Sequence, residues 1–311
     1  VSETTHDGAV AVSGPPSADD GLSPAELARK YELSVSGARV SLGDYIRQMW
    51  GRRHFIVAFS SAKLTAQYSQ AKLGQLWQVV TPLLNAAVYF FIFGLLLGGR
   101  GGMKNDMYIP FLVTGVFVFT FSQNSAMAGV RAISGNLGLV RALHFPRASL
   151  PISFALQQLQ QLLFSMIVLV VVLLGFGHFP AFAWILVIPA LALQFVFNTG
   201  LALVLARMGA KTPDLAQLLP FILRTWMYAS GVMYPLEHML QKAGAHSWVS
   251  DLLLANPAAV YMDLMRYALI NDYPSSSLPP HVWALALGWA VLVGAGGFVY
   301  FWKAEEQYGR G

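Results

Sequence analysis

Cysteine is absent from the 311 residues, which excludes disulfides and thiolate metal sites. Charge is nearly as scarce. Asp, Glu, Lys and Arg make up 11% of the chain, against about 25% in soluble domains, while 56% of residues are hydrophobic and the mean hydropathy is +0.53. No two histidines have the spacing of an HExxH metal helix. A phosphate-cradling loop is missing too: the nearest approach, Met208-Gly-Ala-Lys-Thr212, lacks the Gly immediately before Lys, so ATP cannot bind by that route. No acid lies within any long apolar run, which argues against a proton-coupled carrier.

What is present instead is hydrocarbon. A helix needs about 20 apolar residues to cross about 30 Å of lipid, and six runs meet that length, uncharged except for Arg224 in the fifth: Leu76–Gly98, Met107–Val130, Ile152–Gly175, Ala181–Ala206, Leu215–Tyr234 and His281–Trp302. The third and fourth are split at Gly175-Phe-Gly-His-Phe-Pro180, where paired glycines and a proline mark a turn. The expected fold is all-α and integral to a membrane, with six transmembrane helices.

Orientation follows from Lys and Arg. Arg47, Arg52, Arg53, Lys63 and Lys72 precede the first span, Arg131, Arg141 and Arg147 separate the second and third, Arg207 and Lys211 the fourth and fifth, and Lys303 and Arg310 follow the sixth. The alternate loops hold only Arg100 with Lys104 and Lys242 with Arg266. Both termini are therefore expected in the cytoplasm of a multi-pass plasma-membrane protein. The pI of 9.4 does not indicate a nucleic-acid binder, because the cations are divided among separate loops; membrane lipid headgroups account for them better.

Residues 1–40 are rich in Ser, Gly, Pro and acids and read as a disordered cytoplasmic tail without a signal-peptide apolar region. Within it, Ser23-Pro24-Ala25-Glu26 has the form of a capped helix start. Residues 41–75 read as an interfacial amphipathic helix region with Leu42, Ile46, Met49 and Trp50 at helical spacing; a helix packed on the same chain is the alternative. The transmembrane domain covers 76–302 and a short cytoplasmic end 303–311. Asn256–Tyr273 is too polar to span freely, and two short re-entrant helices bounded by Pro235, Asn256-Pro257 and Pro274 are expected before the last span.

Polar residues inside spans mark a route, since they are costly in hydrocarbon. Gln78, Thr81, Asn85 and Tyr89 share one helical stripe, continued by Phe93, and Gln217, Phe221, Arg224 and Tyr228 form a second. Arg224 falls about 14 Å into its run, where a cation needs water, a phosphate or carbonyls. Gln157, Gln158, Gln160 and Gln161, with Gln194 and Asn198, suit bonds between helices. In the cytoplasmic loop, Arg141-Ala-Leu-His144-Phe145-Pro146-Arg147 suits a helical knob seated in a partner's cleft, with Pro146 ending the helix; an ordinary positive-inside loop is the alternative.

Tyr68, Leu73-Gly74, Trp77 and Pro82 bring a headgroup-level aromatic pair, a bend and a rigid first turn to the first span. This membrane-entrance motif resembles that of ABC-2-type permeases, the membrane subunits of exporters for O-antigens, capsules and teichoic acids. "LVRALHFPRASLPIS" at 139–153, "SGVMYP" at 230–235 and "NPAAVYMDLMRYALI" at 256–270 resemble the family's next segments in the right order. Gln67 and Ala71 depart from it, standing where a basic residue and a Ser are frequent. The acidic tail is similar to that of actinobacterial members that export cell-wall galactan.

The resemblance implies that Arg141–Arg147 is the coupling helix and that the region before the last span caps the passage exit. It implies a homodimer with two copies of a nucleotide-binding ATPase subunit, which would hold ATP and Mg; no cofactor is expected in this chain, and no metal. Its cargo would be a polyprenyl-pyrophosphate-linked polysaccharide. Export of a small lipid or drug is the first alternative. A membrane-embedded glycosyl- or acyltransferase is a weaker one, because His54, His144 and His178 lie on different loops and Asp19-Asp20 lie in the tail.

Overall fold

The computed structural model describes residues 23, 26–27, 30–31, 40–69, 72–96, 103, 105–142, 145–242, 247–274, 278–279 and 281–305. Residues 1–39 form one unit and 40–311 another. In the first, Glu26 N donates to Ser23 Oγ at 3.4 Å and Ser23 N donates to Glu26 Oε2 at 2.8 Å, the reciprocal capping box expected there. The remainder of the tail lies outside the described residues.

The second unit is built of helices and the turns between them, with no strand among its described residues. In order it contains α1 (Leu42–Gly51), α2 (Arg53–Tyr68), α3 (Trp77–Tyr89, continued by a π-helical segment Phe90–Leu96), α4 (Asn105–Val130), α5 (Leu137–Ala142) and α6 (Ser149–Gly175). There follow α7 (Val187–Lys211), α8 (Leu215–Ala229), α9 (Leu236–Lys242), α10 (Ser247–Leu254), α11 (Pro257–Leu269) and α12 (Val282–Trp302).

Four helical stretches are long and apolar enough to cross a membrane: Asp106–Val130, Ser149–Gly175, Phe182–Lys211 and Val282–Trp302. These match the second, third, fourth and sixth expected spans. The other two are shorter than expected. The first run yields the apolar helix Trp77–Phe93. The fifth, expected over Leu215–Tyr234, stops at Ala229, and at about 1.5 Å per residue its 15 residues reach about 22 Å. It stops because Gly231 takes φ +66°, and the Gly231 and Val232 carbonyls accept from Arg266 Nη2 at 3.2 and 3.1 Å instead of continuing a helix.

The turn between the third and fourth spans is where the sequence put it. Gly177 has φ +84°, His178 N donates to Leu173 O at 2.9 Å and Gly177 N to Leu174 O at 3.1 Å, the paired bonds of a glycine-terminated helix.

Helices α4, α7 and α12 are held close by small residues. A Cβ on Gly200 would fall 2.1 Å from Val293 O, one on Gly297 would fall 2.4 Å from Gly200 O, and one on Gly209 would fall 2.0 Å from Val130 O. Side chains at these positions would force the backbones apart, so the absence of a Cβ sets the crossings. Three of the amides expected to bond between helices do so: Gln157 Nε2 donates to Gln67 Oε1 at 3.0 Å, Gln160 Nε2 to Ser61 Oγ at 3.1 Å, and Gln194 Nε2 to Val118 O and Ser122 Oγ at 3.0 and 3.1 Å, whereas Asn198 is buried and neither of its side-chain polar atoms finds a hydrogen-bond partner among the described residues.

The amphipathic region is two helices with two apolar faces. Tyr45, Met49, Ile56, Ser60 and Leu64 are buried on their own chain, whereas Ile46 and Trp50 of the expected apolar stripe are 51% and 71% exposed. The helices therefore carry an apolar face inward and a second apolar strip, with Val57, outward.

Between the expected breakers Asn256-Pro257 and Pro274 lies one helix, α11. Asn256 caps it by accepting from Ala258 N at 3.2 Å, and almost all its residues are buried, so it is packed inside the bundle end and not merely seated in lipid.

Candidate functional site

Two regions carry the residues singled out from the sequence. The first is the face shared by α3 and α8. The two helices touch there: the Tyr89 hydroxyl lies 3.7 Å from Met227 Sδ, the residue before Tyr228. Phe221, Arg224 and Tyr228 sit on the exposed side of α8, with Phe221 68% and Tyr228 44% exposed. Asn85 is exposed one turn from Tyr89, and Phe93 is half-buried one turn beyond it.

The helices that carry the two expected stripes thus touch at Tyr89 and Met227, one residue from Tyr228. Gln78 departs from its stripe: it is 1% exposed, because α6 covers the start of α3. Arg224 lies in the second half of a short helix and not at the middle of a long one. Among the described residues it makes no hydrogen bond, so its guanidinium is presented outward from this chain.

Proline shapes the entrance of α3. Gly74 adopts φ +50° with open space around it, so conformation and not crowding demands glycine. Trp77 is 36% exposed at the first turn, and Pro82, buried inside α3, cannot donate to the carbonyl one turn back. That carbonyl, Gln78 O, is met by Ser165 Oγ of α6 at 3.3 Å. Tyr68 ends α2, and its side chain lies outside the described residues.

The second region is the loop between α4 and α6. Arg141–Arg147 is not itself the helix. The helix α5 lies earlier, ends at Ala142, and exposes Leu137, Gly138 and Arg141 while Val140 is buried beneath. His144 lies outside the described residues. Phe145, expected to project, is half-buried with its ring 5.5 Å from Phe55, Pro146 is buried and Arg147 is partly so. The reason is a tie between three distant segments. Glu305 Oε1 accepts from Arg147 N at 3.0 Å and Oε2 accepts from the Tyr45 hydroxyl at 2.8 Å. Arg147 Nη1 donates to the Glu305 carbonyl, and the Tyr45 oxygen accepts from Ala148 N at 3.1 Å. Burial pushes the Glu305 carboxyl above its ordinary range, opposed by the Arg147 amide, the Tyr45 hydroxyl and the Arg147 charge. Sequence reading missed this tie, since Glu305 and Tyr45 carry no local pattern.

A further group that the sequence undervalued is Arg266. It is 2% exposed, pairs with Asp263 at 3.0 Å, donates Nε to Phe111 O at 3.3 Å and stacks 3.4 Å from the Phe111 ring centroid. Gly115 makes room for it, since a Cβ there would fall 2.4 Å from Nη2. No cluster of three or more His, Asp or Glu fit to hold a metal occurs among the described residues.

Comparison with known proteins shows the family of the chain. The O-antigen export system permease protein RfbA of Klebsiella pneumoniae is 28% identical over 217 residues, 70% of this chain and 80% of the relative. RfbA of Myxococcus xanthus is 25% identical over 261 residues, 84% of this chain and 96% of the relative. The polysialic acid transport protein KpsM of Escherichia coli is 22% identical over 219 residues, 70% and 81% respectively. The family model described as ABC-2 type transporter matches residues 55–270, from the start of α2 to the end of α11, and so the chain belongs to the ABC-2 type transporter family.

Proposed function

We propose that this chain is the permease subunit of an ATP-driven exporter that moves a lipid-linked polysaccharide, of the O-antigen, teichoic acid or galactan type, from the cytoplasm across the plasma membrane. The observation that carries the reading is the side of α8 that the chain leaves uncovered, where Phe221, Arg224 and Tyr228 lie exposed beside the Tyr89–Met227 contact. A cation, two phenols, Asn85 and the Phe93 and Phe221 rings suit phosphate, hydroxyls and the C–H faces of sugars. The names of the relatives, O-antigen export and polysialic acid transport, support the same cargo class.

One chain contributes one wall, and a two-fold partner would supply the opposite wall. The passage residues would be Asn85, Tyr89, Phe93, Phe221, Arg224 and Tyr228, entered past Tyr68, Gly74, Trp77 and Pro82. Work would come from two ATPase subunits that bind ATP and Mg. They would press on α5 with Arg141, while Phe145, Pro146 and Arg147 hold that helix to the body of the chain, with both termini in the cytoplasm.

The test is depletion of the chain in its own host, followed by separate measurement of lipid-linked glycan on the two sides of the membrane. Accumulation on the cytoplasmic side is expected. Unchanged distribution with loss of a small lipid or drug from the medium would replace the polysaccharide reading.

A further inference from the structure

At the end of the bundle that holds the Glu305 tie, a cavity of about 810 Å³ opens between the end of α7, the start of α8 and the last turn of α12. Its lining is of two kinds. Arg207 and Lys211 give it positive charge, with Asp214 as the acid. Leu215, Leu218 and Tyr300 give it an apolar wall, of which Leu218 is 54% and Tyr300 39% exposed.

Arg207 is set in place. Its Nη1 donates to Tyr300 O at 2.5 Å and its guanidinium lies 3.9 Å from the Tyr300 ring centroid. One nitrogen and one face are committed, and the remaining N–H groups have no hydrogen-bond partner among the described residues. The ion pair found among those residues joins Arg266 to Asp263; neither Arg207 nor Lys211 is paired with Asp214. The first amides of α8 are occupied, since Leu215 N, Ala216 N and Gln217 N donate to Thr212 O, Pro213 O and Asp214 O. An anion here would be bound by side chains.

The position matters as much as the charge. Lys211 ends one membrane-length helix and Trp302 ends another, so the cavity lies at the level where hydrocarbon gives way to headgroups. Two unpaired cations beside an apolar wall match an amphiphile with a negative head. We infer that this cavity is a binding site for the phosphate headgroup of an anionic membrane lipid, with Arg207 and Lys211 holding the phosphate and Leu218 and Tyr300 lying along the first carbons of its chain. The site is distinct from the α3/α8 face and does not depend on the cargo proposed above.

The experiment uses the purified full chain in nanodiscs of phosphatidylcholine with or without phosphatidylglycerol, and counts co-retained lipid by native mass spectrometry after release into detergent. Wild type is expected to retain phosphatidylglycerol in preference to phosphatidylcholine. Lys211→Gln, at an exposed position that carries no fold contact, should weaken that preference about fivefold, and Arg207→Gln with Lys211→Gln should remove it, at about 1 kcal/mol for each basic residue near a lipid surface. A second arm adds excess inorganic phosphate, which should leave the lipid bound because it lacks the chain. Equal retention of phosphatidylglycerol by wild type and the double variant, with the variant's thermal unfolding unchanged, would overturn the site. Displacement by inorganic phosphate alone would make it a free-anion site and overturn the lipid assignment. Neither result involves export, so failure here leaves the transport reading standing.

Discussion

Tyr45 and Glu305, 260 positions apart, meet through a 2.8 Å hydrogen bond from the tyrosine hydroxyl to Oε2, and the same hydroxyl accepts the Ala148 amide. One phenol thus joins the first amphipathic helix, the start of α6 and the segment after α12. Tyr45→Phe leaves a buried amide and a buried carboxylate oxygen without partners, which costs about 1–3 kcal/mol for each unsatisfied group. The expected result is a lowered unfolding temperature with unchanged helix content by circular dichroism; an unchanged unfolding temperature would contradict the tie.

Glu305 also gives a pH dependence. Its carboxyl is raised above the ordinary value of 4.5, chiefly by burial. A raised acid binds more protons folded than unfolded, so its stabilising contribution is present below the ordinary value and is lost as pH rises through the raised one. Glu305→Gln should remove this slope, so the variant should gain on wild type as pH increases from the ordinary carboxylate value towards neutrality. Parallel unfolding curves for the two proteins across that range would refute the assignment.

The coupling proposal divides the cytoplasmic loop in two. Leu137→Asp or Arg141→Glu changes an exposed part of α5 and should weaken ATPase co-purification by at least about tenfold, the scale of an interface hot spot, with little change in unfolding temperature. Phe145→Asp buries a charge against Phe55 and should lower the unfolding temperature of the chain by itself. If Phe145→Asp is as stable as wild type while Leu137→Asp assembles normally, the receiver lies elsewhere.

Arg224→Ala should leave assembly intact and reduce glycan export, because the side chain faces away from its own bundle. Arg224→Lys should recover part of the activity, since an ammonium keeps the charge but not the planar fork that matches phosphate oxygens. Full export by the Ala variant would remove Arg224 from the passage.

Arg266 behaves in the opposite way. Arg266→Met removes the countercharge of the buried Asp263, which keeps the Tyr273 hydroxyl at 3.4 Å, and should destabilise by about 3–5 kcal/mol. The double variant with Asp263→Leu should recover most of that loss, as would be read in a double-mutant cycle of unfolding temperatures. Additive losses would show that the pair is not the reason for the burial.

Much of the architecture was local enough to read from the chain. Uncharged runs located the four membrane-length helices because hydrocarbon length and helix rise are fixed, and Gly175–Pro180 marked its turn because only glycine closes a helix at φ +84° cheaply. The paired stripes on α3 and α8 were legible because helical periodicity places Tyr89 and Asn85, or Phe221, Arg224 and Tyr228, on one side of each rod. Which arginine would be buried was not legible. Counting depth along one run singled out Arg224 as a residue in need of polar surroundings and gave no sign that the buried guanidinium is Arg266, on which carbonyls from positions 111, 231 and 232 and the carboxylate of Asp263 converge. The same convergence ends α8 before its apolar run is exhausted. Likewise Phe145-Pro146-Arg147 reads as an exposed knob until Phe55, Tyr45 and Glu305 arrive from both ends of the chain. Periodicity and hydropathy depend on neighbours within a turn or two, so the sequence determines the rods and their faces. Desolvation and hydrogen-bond satisfaction depend on whichever distant groups pack alongside, so only the tertiary structure decides which polar side chains hold the fold and which remain to meet another molecule.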